Sequence, residues 1–282
     1  SALTALAANP EARWTALTIF CDGPRSEEEK HRVAQVRQVA HSSDVASMFA
    51  QVAVEERETN AGLSTSVIEG VSRLLDTHPS VIVVEDDLVV SPSFLGFMNA
   101  GLTEYQDAEE GVSIHGFTMK TEQTLPATFF IRGADCWGWA TWDRGWRVFD
   151  PDGRGLLQRL DASGEVDEFD FWGTFPYRQM LIDQIEGRVD SWAIRWYASA
   201  FLEQKLTLYP GRSLVRNIGQ EGSGTHSTLL DSHDVMEGDF PLPLTRIDIQ
   251  ESQEARGAFA RAMEGDRGIS WMSRLRRRGR RQ

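Results

Sequence analysis

The sequence predicts an α/β fold in which a mostly parallel sheet is flanked by helices. Two neighbouring stretches carry that prediction. Val81-Ile82-Val83-Val84 is a run of four β-branched residues, the composition of a strand buried on both faces. Just upstream, Leu63, Val67, Val71, Leu74 and Leu75 recur at helical spacing, so a helix packs one face on the sheet and feeds that strand. Glu85-Asp86-Asp87 then follows the apolar run without a break. In open α/β sheets ligands bind beyond the carboxyl ends of the strands, which is where these acids fall. Three adjacent carboxylates repel one another unless a cation lies among them. A hard divalent ion, Mg²⁺ or Mn²⁺, would relieve that repulsion and keep positions open for phosphate oxygens. The alternative is an acidic strand end that faces water.

Composition narrows the class. The chain has 282 residues, 41% of them hydrophobic, enough for one large domain or two small ones with a sizeable core. Its formal charge of −13 argues against a nucleic-acid-binding body. Six arginines between Arg274 and Arg281 make the rest of the chain more acidic still. We therefore divide it into one domain, 1–265, and a basic tail, 266–282. Only Cys21 and Cys136 occur, which disfavours a disulfide framework and fits a reducing cytosol. No run approaches the ~20 apolar residues of a membrane helix, and no signal peptide is visible.

Taken in order, residues 1–8 read as a helix broken by Asn9-Pro10, and Trp14 to Phe20 as a strand ending in Cys21-Asp22-Gly23-Pro24. A βαβ unit begins with a strand, so a helical opening implies a first strand before Ser1. Asp22 either faces a ligand or closes a bare turn. Glu27 to Ala40 reads as a surface helix and Gln51 to Val54 as a short strand. Gly62 opens the next helix, where close backbone approach and the helix dipole favour a diphosphate. Ser91-Pro92 starts a helix running to about Tyr105. Val112 to His115 reads as a strand, with His115 a structural strand-end residue. Phe129 to Ile131 is another.

Four of nine tryptophans fall between Trp137 and Trp146. Aromatic faces suit the apolar faces of sugar rings, so Asp135, Trp137 and Trp139 are candidate sugar contacts, whereas Trp142 and Trp146, spaced as on a helix, pack inward. Residues 150–170 are polar and Gly/Asp-rich and read as a surface excursion. From Pro176 a helix leads to Asp190-Ser191-Trp192, where Asp190 either caps the next helix or is free to take a proton. Leu206 to Tyr209 is a late strand. The Gly-rich stretch Glu221 to His226 suits a mobile lid over a diphosphate. Beyond it the chain reads as loosely organised until Trp271. There, an apolar patch joined to clustered Arg suits either anionic headgroups or a solubilising tail.

These motifs resemble the GT-A glycosyltransferases. Receiver domains also carry hydrophobic-Glu-Asp-Asp, but on their first strand, and Phe129-Phe130-Ile131 leads into Arg132-Gly133 instead of a phosphorylated Asp. Glu85-Asp86-Asp87-Leu88 is similar to the acid motif of N-acetylglucosaminyltransferase I and its bacterial relatives. So are Arg57-x-x-Asn60-x-Gly62-Leu63 and the Gly133-to-Trp139 segment. The resemblance covers about residues 12–228. It implies a GT-A fold, a Mn²⁺ or Mg²⁺ cofactor and a nucleotide-diphosphate sugar donor, a UDP-sugar before others. It also implies a glycan or lipid-linked acceptor in cell-surface glycan or polysaccharide synthesis, and a cytoplasmic chain, peripheral to the membrane if the tail binds it. By the same resemblance Asp87 and Asp86 hold the metal, with His226 (or else His233) joining it or the diphosphate. Asp22, Arg57, Asn60, Glu85 and Asp86 face the donor; Asp135, Trp137, Trp139 and Trp192 line the sugar or acceptor side; Asp190 is the catalytic base. A nucleotidyltransferase lacks the expected Gly-rich signature with a following Lys. A degenerate GT-A domain that binds without turnover is the remaining alternative.

Overall fold

The structure is a computed structural model and describes residues 2–218 and 240–264. Helix α1 (Ala2–Ala7) and a 3₁₀ turn (Pro10–Trp14) lead into strand β1 (Ala16–Cys21). Asn9 is buried between them, and its side-chain oxygen accepts from the Leu95 N–H at 2.8 Å, so the break in the first helix also caps a later one. Helices α2 (Lys30–Ala40) and α3 (Ser43–Met48) connect to strand β2 (Gln51–Glu56), which pairs with β1 in parallel from Ala16↔Gln51 to Cys21↔Glu56. Helix α4 (Leu63–Leu75) then crosses to β3 (Ser80–Val83), after which the acids form a turn into β4 (Leu88–Val90).

Helix α5 (Phe94–Glu104) is followed by β5 (Gly111–His115), β6 (Thr128–Arg132) and β7 (Trp139–Trp142). A short helix, α6 (Asp143–Trp146), precedes α7 (Gly153–Ser163), α8 (Val166–Phe169), α9 (Tyr177–Ile185) and α10 (Trp192–Leu202). Strands β8 (Leu206–Pro210) and β9 (Val215–Asn217) follow, and residues 253–264 form a last helix, α11.

The α/β class stands, but the main sheet is mixed and not mostly parallel. Its order is β3-β7-β5-β8-β6; only β5 and β8 are parallel, while β7 runs against both its neighbours and β6 against β8. Apolar runs signal burial on both faces, and a buried antiparallel strand carries the same run as a parallel one. Strand direction was therefore not readable from them. Residues 150–170 are likewise no loop: Leu156 and Leu160 of α7 and Phe169 of α8 are fully buried. Nor is the C-terminal stretch loose, since Ala255, Ala258, Phe259 and Met263 of α11 complete the same core cluster.

Helices cover both faces of the sheet. On one side α1, α5, β4 and β9 surround Leu88, Phe94, Phe97 and Ile114. On the other, α4 and α10 enclose a tryptophan cluster in which the Trp139 ring lies 5.7, 5.4 and 5.9 Å from Trp146, Trp192 and Trp196. Truncating Trp139 to Ala should cost about 3–5 kcal/mol of unfolding free energy, as large-to-small changes of buried aromatics do. Urea denaturation reads this directly, and a loss under about 1 kcal/mol would contradict the packing described.

Candidate functional site

The site lies where β3 ends. Its apolar run gives way to Glu85-Asp86-Asp87, and the turn is closed by the Leu88 N–H donating to the Glu85 carbonyl at 3.1 Å. Leu88 is fully buried and starts β4, which pairs with β9 through Leu88↔Asn217. That pairing brings two donors to Asp87. The Asn217 amide reaches Oδ2 at 3.3 Å, and the Ile218 N–H reaches the Asp87 carbonyl at 2.8 Å. Sequence reasoning assigned Asn217 no role, because its contact depends on strand pairing across the whole chain.

The electrostatics of the turn are those of crowded, half-buried acids. Burial, then the charges of Asp87 and Asp86, push the Glu85 carboxyl up to about 7. Burial and Asp86 raise Asp87 as well, opposed by the Asn217 hydrogen bond. Asp86 points to solvent. Among the described residues, Asp87 Oδ1 is buried and has no hydrogen-bond partner, the state of an oxygen suited to a cation. Among the described residues no three His, Cys, Asp or Glu side chains converge on one point. What the turn offers a hard cation is the carboxylates of Asp87 and Asp86, and a divalent ion held by one or two carboxylates takes its other ligands from water and phosphate. His226 and His233 lie outside the described residues, as does the arginine-rich tail.

The Asp135 segment joins this field. Asp135 Oδ1 accepts from the Cys136 N–H at 2.8 Å and lies 3.8 Å from His115 Nε2. His115 is wholly buried at the end of β5, where Nε2 accepts from the Trp137 N–H at 3.0 Å; burial lowers its pKa against the pull of Asp135, so it is a neutral structural residue. Burial, then Asp135, Glu85 and Asp87, drive the Cys136 thiol well up, which ties this loop to the acid turn. Trp137 is half-buried, its ring edge-on to Phe117 at 4.9 Å. Trp139 and Trp192 are a correction. They are 0% and 2% exposed inside the tryptophan cluster, so their faces meet other rings and not a sugar. Trp139 is a strand residue of β7 and Trp192 the first of α10, and both point into the core.

A second group forms at the end of β1. Asp22 accepts from the N–H groups of Gly23 (2.8 Å), Ala61 (2.9 Å) and Gly62 (3.0 Å) and from the Asn60 amide (3.0 Å). Burial raises its pKa, but these donors and Arg57 outweigh burial and hold the carboxyl below the ordinary range. Asp22 thus clamps the 57–62 loop to β1. Gly23 is required there, since a Cβ would stand 2.3 Å from the Thr59 backbone. Gly62 caps α4 with φ +84°, a conformation that favours glycine. Arg57 is ion-paired with Glu69 of α4. Both line a cavity of about 260 Å³ with Phe20, Cys21, Ser66 and Arg73.

Asp190 is brought to the same loop. Its Oδ2 lies 3.4 Å from where a Cβ on Gly62 would be. The cap of α10 is Ser191, whose hydroxyl accepts from the Ile194 N–H at 3.4 Å. Asp190 is therefore an exposed carboxylate beside a helix start and not its cap. One turn further on, Arg195 donates to Ser64 Oγ at 2.6 Å and to the Pro151 carbonyl at 3.2 Å, locking the starts of α10 and α4 together. Sequence reasoning missed Arg195; a cation within an otherwise aromatic helix was its only signal.

The Glu85 shift has a measurable consequence. An unfolded Glu titrates near 4.3, so between about 4.3 and 7 the folded chain holds a proton the unfolded chain has released. Stability from this group is therefore full below that window and falls as pH rises through it, by up to about 4 kcal/mol. In chelator, unfolding free energy should decline from pH 5 to pH 8, and Glu85→Gln should flatten the slope. An unchanged slope in that variant assigns it to another group.

No helix among the described residues is long and apolar enough to cross a membrane. No protein-family model matches the chain, and no curated protein matches it either, so the geometry above is what a functional reading rests on.

Proposed function

We propose that the chain transfers a sugar from a nucleotide diphosphate to an acceptor hydroxyl, on a GT-A-like scaffold that uses Mn²⁺ or Mg²⁺. The observation that carries this reading is the unpartnered, buried Oδ1 of Asp87 in an acid turn at a strand's carboxyl end. Asp87 would hold the metal through that oxygen, and Asp86 offers a second carboxylate to the metal or a ribose. When bound, the ion would neutralise charge developing on the leaving diphosphate. Glu85 shapes the turn, and Asn217 fixes the orientation of Asp87. Asp135 and Trp137 would suit the sugar's hydroxyls and ring face.

Asp190 would accept the proton of the acceptor hydroxyl as its oxygen attacks the anomeric carbon. The bond to the diphosphate oxygen breaks on the opposite side, so configuration inverts. A UDP donor, a glycan or lipid-linked acceptor and tail contact with anionic lipid remain extensions of the resemblance. The test is to titrate UDP- and GDP-sugars with and without Mn²⁺ and follow release of nucleotide diphosphate. Metal-dependent hydrolysis or transfer supports the enzyme. Binding without turnover makes the chain a sugar-nucleotide-binding module, and no binding in either series sinks the reading.

A further inference from the structure

We infer that the ring of Trp172 is a platform for a neutral saccharide chain, set apart from the acid turn. The loop between α8 and α9 carries the observation. Phe171, Trp172 and Gly173 stand in succession at φ +48°, +56° and +75°. Glycine adopts such angles freely, but a bulky aromatic residue is a genuine outlier there. Backbone of that kind persists only where its surroundings over-determine it, and it gathers at functional sites.

Here the surroundings are explicit. Phe171 is buried in one core cluster with Phe169 and Leu181. The Trp172 N–H donates to the Asp167 carbonyl at 2.6 Å, and the Phe175 N–H to the Asp170 carbonyl at 3.1 Å. Arg256 of α11, 2% exposed, pairs with Glu251 at 2.7 Å and donates to the Glu168 carbonyl. Its guanidinium lies 4.4 Å from the Phe171 ring centre and 5.3 Å from that of Trp172. The indole is thus backed by a buried cation, yet the side chain stays 47% exposed. The strained backbone does not bury this ring. It holds a flat aromatic face out to solvent.

The occupant follows from what lies around the ring. Among the described residues of α8, α9, α11 and the loop joining α8 to α9, Trp172 is the one large apolar side chain that is exposed. A protein partner or a second copy needs a wider apolar core, which this surface lacks. A sugar needs only a flat aromatic face for its ring and polar groups for its hydroxyls. Asp167 and Glu168, whose carbonyls help to hold the loop, carry exposed carboxylates. The same charges repel a uronate or a phosphate-bearing glycan, so the chain that fits is neutral. α9 sets its length. Trp172 precedes the first turn of that helix and Asp190 follows the last, and nine residues of helix span about 14 Å. One sugar ring does not bridge the two; an oligosaccharide does. That the saccharide is the acceptor rests on the transfer reading, whereas its binding to Trp172 does not.

The test titrates soluble hexasaccharides of glucose, of mannose and of N-acetylglucosamine into the full chain by calorimetry, with neither donor nor metal, and a hexauronate beside them. At least one neutral hexasaccharide should bind, and the hexauronate should not. Trp172→Gly suits the left-handed backbone and should stay folded, yet weaken binding at least about tenfold, as truncating an aromatic anchor does. Trp172→Phe should keep most of the affinity, whereas Trp172→Leu, apolar but without a flat face, should lose it. The inference is overturned if no neutral hexasaccharide binds, if Trp172→Gly protein binds as the parent does, or if Trp172→Leu protein equals Trp172→Phe protein. It is also overturned if the hexauronate binds as tightly, or if the parent forms a dimer that Trp172→Gly abolishes, which would assign the ring to a second copy. Trp172-dependent binding in a chain that releases no nucleotide diphosphate would uphold the platform and sink the transfer reading alone.

Discussion

Asp87→Ala is expected to abolish metal-dependent nucleotide binding and to leave the fold as stable as before or more so. The two halves of that expectation have one cause. Asp87 is half-buried with one oxygen unpaired, and it raises the pKa of Glu85 beside it. Removing it deletes a repulsive charge and an unsatisfied buried atom, both of which cost stability. It also deletes the carboxylate best placed to hold a cation. Changes one shell removed from a metal typically cost 10- to 100-fold in affinity, so losing a ligand itself should cost at least about 100-fold. Calorimetric titration of UDP with Mn²⁺ into both proteins measures the first half, and thermal denaturation in chelator the second. Unaltered Mn²⁺-dependent affinity in the variant would remove the metal from this turn.

For Asp190→Asn, turnover should drop by about 10² to 10⁴ while donor affinity, metal affinity and melting temperature stay near those of the parent. Had Asp190 capped α10, Asn would still cap it and little would change. Ser191 fills that role, so the substitution touches only the capacity to accept a proton. The variant keeps the shape that meets Gly62. Rates should be compared at saturating donor and metal, so that a binding defect cannot pass for a chemical one. Full activity in Asp190→Asn protein would mean that another group takes the proton.

Much of the architecture was legible because local signals and tertiary demands agreed. Leu63 to Leu75 is helical over the span its spacing predicts, and the strands around Val81, Val112, Phe129 and Leu206 lie within a residue or two of their apolar runs. The tryptophan segment shows where such reading stops. Indole rings serve equally as sugar platforms and as core, and only the packing of α10 on β7 decides between them. Trp137 stays partly open, whereas Trp139, two residues on, is enclosed. Asp22 was an even choice between turn and ligand, and four donors now account for its oxygens. Asn217 and Arg195 owe their places to residues more than a hundred positions away, which no window along the sequence can hold.

The strand order also governs when the protein can first become itself during synthesis. β8 sits between β5 and β6, and among the described strands β6 is bonded to β8 alone. β6 ends at Arg132 and β8 begins at Leu206, so the earlier strand waits for some seventy residues of translation. At about 5–20 residues per second that is roughly 4–15 s with Phe129, Phe130 and Ile131 unpaired outside the ribosome. A nascent chain in that interval is a natural client for a holdase, and slow codons between the two strands would lengthen its exposure.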